Sequence, residues 1–237
     1  MTVTPGVRSR GKQSQERARD TQESILITAE RLFAERGVWA VSNRQISDAA
    51  GQGNNAAVGY HFGTKHDLIR AILRRHAAEI ETIRREMVAA VDDRTDVRQW
   101  AECLVLPQAR HLAAMGGPTW FARFAAQLMT DPGLRPMIVE DSLDSPVLQE
   151  ILINLGRALG PLPAAVRIER ADMTRQLMVH MFAERERAVA DGDPTARPDW
   201  EAAATGLVDG LVGVWTAPVT PVRRSGRRPR RLSGGDR

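Results

Sequence analysis

The sequence predicts an all-α fold. Three observations carry it: Ala, Leu, Arg and Glu dominate the middle of the chain, aromatics make up only 5%, and apolar residues recur three and four positions apart between capping pairs. With 237 residues, 43% hydrophobic and 26% charged, the chain can bury the core of one large domain or two small ones, which excludes a disordered or fibrous protein. No uncharged apolar run reaches the roughly 18 residues a membrane helix needs, and Met1 to Arg19 is polar and basic, unlike a signal peptide. A soluble cytoplasmic protein is expected. The single cysteine, Cys103, has no second thiol for an internal disulfide or a zinc cluster.

The first strong helix follows a loose basic arm over residues 1–19, which holds Arg8, Arg10, Lys12, Arg17 and Arg19. Asp20 with Glu23 resembles a capping box, Ile25, Leu26, Ala29, Leu32 and Phe33 form one apolar face, and Gly37 is the expected left-handed terminator. A sharper start follows. Ser42 and Gln45 can cap each other while Val41 and Ile46 occupy the two positions of a hydrophobic staple, so a helix begins at Asn43 and ends at Gly51 after about two turns. Asn54 is the cap of a third helix, Asn55 through Phe62, closed by Gly63. Thr64 with Asp67 opens a long fourth helix with the stripe Ile69, Ile72, Leu73, His76, Ile80, Ile83 and Met87.

Two short helices around a glycine turn, supported by a preceding helix, make a helix-turn-helix over residues 20–66. An α-helix fills the major groove of a duplex, and its outer face needs short groups that reach base edges. Asn54, Asn55, Ala56, Ala57 and Gly59 offer them: Asn can pair with adenine, and Ala can meet a thymine methyl. Gly59 costs about 1 kcal/mol against Ala inside a helix and so needs a steric reason, either close approach to DNA or close packing of another helix. Charge agrees with a polyanion partner: residues 1–66 hold nine Lys/Arg against six Asp/Glu, residues 67–220 seventeen against twenty-two, and residues 221–237 seven against one.

The motifs Ala29-x-x-Leu32-Phe33-Ala34-Glu35-x-Gly37, Ser42-x-x-x-Ile46-x-x-Ala49-Ala50-Gly51 and Tyr60-His61-Phe62-Gly63-x-Lys65-x-x-Leu68 together resemble the TetR (tetracycline repressor) family of transcriptional regulators. The resemblance implies that Tyr60 and Lys65 hold DNA phosphates, that Ser42 and Arg44 do likewise, and that Asn54, Asn55, Ala57 and His61 lie near bases. The stretch from Gly51 to Tyr60 is one residue longer than in the commonest members. Beyond residue 70 the likeness is architectural.

Residues 67–220 continue in helices. One runs from Thr95 through Trp100, Leu104, His111 and Met115, with Pro107 inside it expected to kink it. Thr119 starts another, closed by Asp131-Pro132-Gly133; Glu140, Asp141 and Asp144 read as a solvated loop. Ser145 before Pro146 starts a helix broken at Gly160. Two long helices follow, from about Pro163 to Val189 and from about Asp199 to Trp215. Gly206, Gly210 and Gly213 on the last permit close approach of another helix. The resemblance implies that this pair forms a homodimer surface, although an intramolecular core would use the same residues.

The large residues Trp100, His111, Met115, Trp120, Phe124, Leu128, Met173 and Leu177 could line an apolar ligand pocket, or simply form core. The Arg-rich residues 221–237 cannot bury a core and should be disordered. The expected protein is therefore a homodimer that reads a palindromic double-stranded operator, responds to a small effector and needs no cofactor, in this family most often a repressor. A helical small-molecule carrier or enzyme is the alternative, but no paired carboxylates, nucleophile elbow, phosphate loop or metal cluster promotes it. A charge-driven, non-specific nucleic-acid binder is a third reading.

Overall fold

Capping pairs and glycines set the helix boundaries of the head, the amino-terminal part of the chain up to residue 66. In the computed structural model, which describes residues 7–54 and 56–220, these residues form ten helices. They are α1 (Val7–Arg36), α2 (Asn43–Ala49), α3 (Ala57–Phe62), α4 (Lys65–Ala89) and α5 (Val97–Met115), then α6 (Phe121–Thr130), α7 (Arg135–Leu143), α8 (Pro146–Ala158), α9 (Ala164–Asp191) and α10 (Trp200–Thr216). The expected all-α class stands. Asn55 and the Arg-rich residues 221–237 lie outside the described residues.

Both capping boxes form. The Gln45 amide N–H donates to Ser42 Oγ at 3.3 Å and the Ser42 N–H to Gln45 Oε1 at 2.8 Å. At α4 the Asp67 N–H donates to Thr64 Oγ1 at 3.2 Å and the Thr64 N–H to Asp67 Oδ2 at 3.1 Å. The Thr64 hydroxyl and amide together hold the Asp67 carboxyl below its usual range. Gly51, with φ of 69°, turns the chain between α2 and α3 in a conformation that side-chain-bearing residues avoid.

Two elements differ from the sequence reading. Helix α1 starts at Val7, not at Asp20, so the expected loose arm is helical from Val7 onward. Residues 12–20 are all exposed, which gives periodicity nothing to show, while Gln, Glu, Arg and Ala still favour helix. The acidic stretch expected as a loop is α7, which buries only Ile138 and places Asp141 3.1 Å from Arg70 of α4.

α5 is the central pillar, packed against α4, α8 and α10 and continuing through the buried Pro107. The main core gathers Ile25, Phe33 and Ile46 of the head with Ile72, Val105, Phe124, Leu128 and Leu211. A second cluster holds Val88, Trp100, Cys103, Ile151, Leu155 and Trp215. Burial there pushes the Cys103 thiol up to about 11, so it behaves as a small hydrophobe. No described helix is long and apolar enough to cross a membrane.

Candidate nucleic-acid interface

α2 and α3 are held by short side chains that leave their outer surfaces open. Ile46 is fully buried against the head's core, whereas Ser42 and Arg44 are exposed at the start of α2. Arg44 pairs with the exposed Asp48 at 3.7 Å, a contact of little energetic weight that leaves the guanidinium able to turn to an anion. Asn54 is exposed and its Oδ1 accepts the Ala56 N–H at 2.9 Å, so it builds the turn before α3 instead of capping a helix that begins at residue 55. Tyr60 is 83% exposed, standing edge-on to the half-buried His61 with ring centroids 5.0 Å apart.

Ala57 corrects an expectation. It is buried at 7% exposure in the main core, because α3 starts two residues later than anticipated and the helical phase turns Ala57 inward beside Val58. It has no face to offer a base edge.

Lys65 is committed inside the head. Its ammonium donates to the carbonyls of Val38 at 3.0 Å and Val41 at 2.6 Å, and it lies 5.8 Å from the Phe33 ring and 5.6 Å from the Trp39 ring. Burial lowers its pKa below the ordinary lysine value. One of its three N–H groups is left over. Lys65→Ala is expected to cost about 1.5–3 kcal/mol of stability through the lost charged hydrogen bonds, read as a lower urea midpoint. A destabilisation under about 0.5 kcal/mol would show that the two carbonyls find water instead.

The eight residues grouped as a ligand pocket do not converge. Trp100 belongs to the second cluster, Phe124 and Leu128 to the main core, Met115 and Trp120 pack half-buried on that core, and Met173 and Leu177 are exposed on α9. The concavity that includes Met173 is an open surface groove along α9 with Ile168, Asp172 and Gln176. His111 is buried, but in a polar chain rather than an apolar wall: its Nε2 is 2.8 Å from His76 Nδ1, and His76 Nε2 is 2.7 Å from Glu30 Oε2. Aromatic and methionine residues at helical spacing serve core and pocket alike, which is why the pattern misleads.

Sequence reading also misses the joint between head and body. Trp39, 58% exposed, donates its indole N–H to Asp131 Oδ2 at 2.6 Å, and Gln127 Nε2 donates to the Ala34 carbonyl at 2.9 Å. Partners more than ninety positions apart leave no local signal.

The comparisons agree with this architecture. Residues 25–72, spanning α2, α3 and parts of α1 and α4, match the model for bacterial regulatory proteins of the tetR family. No curated protein matches the chain. Among solved structures, a protein assigned as a tetR family transcription regulator from Shewanella sp. PV-4 is similar over 82% of this chain and 95% of its own, with 20% identity and a TM-score of 0.53. The TetR family transcriptional regulator PfmR from Thermus thermophilus is similar over 81% and 96%, with 18% identity and a TM-score of 0.50. Residues 25–72 thus carry the sequence of the tetR family's bacterial regulatory proteins, and the helical fold around them is similar to that of two solved structures assigned to the same family.

Proposed function

We propose that the protein is a homodimeric, ligand-responsive repressor that reads a palindromic operator and is released from it by a small apolar or amphipathic molecule. The observation that carries the DNA-reading part is α3 itself: Tyr60 and Gly59 are exposed while Val58 anchors the helix in the core. A Cβ on Gly59 would meet nothing within 4 Å, so packing within the chain does not explain the glycine. Close approach of a duplex supplies the reason. Tyr60, Ser42, Arg44 and the remaining Lys65 N–H serve phosphates; Asn54, Asn55 and His61 stand near bases.

Two features support the homodimer through α9 and α10. Ile168, Met173, Leu177 and Met181 are exposed along α9, more apolar surface than a solvated helix normally shows. On α10, Leu207 and Leu211 pack inward while a Cβ on Gly210 or Gly213 would meet nothing, leaving an outer strip where another helix could lie close. Two-fold symmetry then sets the half-sites about one helical turn or more apart. An effector that favours another tilt of α4 would move the heads out of register, by no more than its differential affinity for the two conformers.

Selection of binding sites from a random duplex library by the purified chain tests the reading. A palindromic consensus is expected, and recovery of no preferred sequence would sink it. Gly59→Ala separates function from folding: the variant should be more stable by up to about 1 kcal/mol yet bind the selected operator at least tenfold more weakly. Unchanged affinity would remove α3 from the groove.

A further inference from the structure

Glu30 of α1, His76 of α4 and His111 of α5 form a continuous buried chain through the joint between reading head and body, with links of 2.7 and 2.8 Å. Phe121 of α6 stacks on the His76 ring with centroids 3.9 Å apart. The charged group facing the chain is Arg75 of α4, 3.8 Å from Glu30 and anchored by Glu23 of α1 at 2.6 Å. α6 brings only the uncharged Phe121 to the ring; the next residues, Ala122 and Arg123, are occupied by Glu186 of α9.

Such a chain has a limited proton capacity. One hydrogen bond between two imidazole nitrogens holds one proton, so His76 Nδ1 and His111 Nε2 cannot both carry one at 2.8 Å. The link therefore holds while one of the two facing nitrogens lacks a proton. A proton on both brings two N–H groups face to face, and the α4–α5 link must break.

We infer that Glu30, His76 and His111 are positioning residues for operator reading, a proton-limited relay whose closed form fixes the tilt of α4 and which opens when His76 Nδ1 and His111 Nε2 both carry a proton. The inference rests on the DNA-reading function above. Burial, with His76 and Arg75 beside it, lowers His111 from the ordinary 6.5 to about 4 in the closed form. An open form that gives His111 water returns it toward 6.5. The closed form is therefore fully favoured above 6.5 and loses ground as pH falls toward 4, by at most tenfold in the closed-to-open ratio per pH unit. Operator affinity falls with it.

The test uses the full chain and the selected operator duplex, titrated between about pH 8 and 5, with circular dichroism confirming that the protein stays folded. The wild type should bind more weakly in acid, and His111→Gln, whose amide can still donate to His76 without titrating, should hold its affinity within about threefold. Wild-type affinity that is flat or tighter in acid, or an equal loss in His111→Gln, overturns the relay. Should His111→Gln not fold, calorimetry of the wild type in two buffers of different ionisation enthalpy decides: operator binding at about pH 6 must release protons, and none released overturns it. A chain that binds no duplex even at about pH 8 sinks the DNA-reading function itself and this inference with it.

Discussion

Glu186→Ala should destabilise the protein by about 3–5 kcal/mol, the cost of leaving a half-buried guanidinium and two helix-end donors without their shared buried acceptor. α6 has no side-chain cap of its own at Trp120. Its first turn is satisfied from across the bundle: the carboxylate of Glu186, on α9 and only 1% exposed, accepts the Ala122 N–H at 3.1 Å, the Arg123 N–H at 2.8 Å and Arg123 Nε at 3.1 Å. The same arrangement places a negative charge at the positive end of the α6 dipole. A thermal midpoint lower by roughly 10 °C is expected for a chain of this size. Loss of less than about 1 kcal/mol would mean that water enters and replaces the carboxylate.

The second large effect is expected at Phe124. Its ring is fully buried and stacked on Phe33 with centroids 5.9 Å apart and planes 16° from parallel, joining α6 to α1. Phe124→Ala should cost about 3–5 kcal/mol from lost transfer energy and the cavity left behind. A double-mutant cycle with Phe33→Leu should show coupling of about 0.5–1.5 kcal/mol. Additive losses in urea unfolding would show that the two rings are neighbours without being partners.

What the sequence makes legible is local. The capping boxes at Ser42 and Thr64, the terminators Gly37, Gly51 and Gly63 and the apolar faces of α1 and α4 each depend on residues within one or two turns, and each is present in the structure. What escapes depends on distance or on small shifts of phase. Starting α3 at Ala57 instead of Asn55 turns one residue from the outer face to the core. In sequence His76 is one more member of an apolar stripe, and His111 a pocket wall, because nothing local announces a partner 46 or 35 positions away. α7 escapes because a helix that buries one side chain carries almost no periodic signal.

The main core has a consequence for anyone who would divide the molecule. The boundary expected from the sequence lies near residues 66 and 67, yet the same oily interior runs from Ile25 and Val58 on one side to Leu112, Phe182 and Leu211 on the other. An excised amino-terminal fragment would leave that shared wall facing water, where such surface promotes clumping. The smallest piece worth purifying is therefore the entire ten-helix unit.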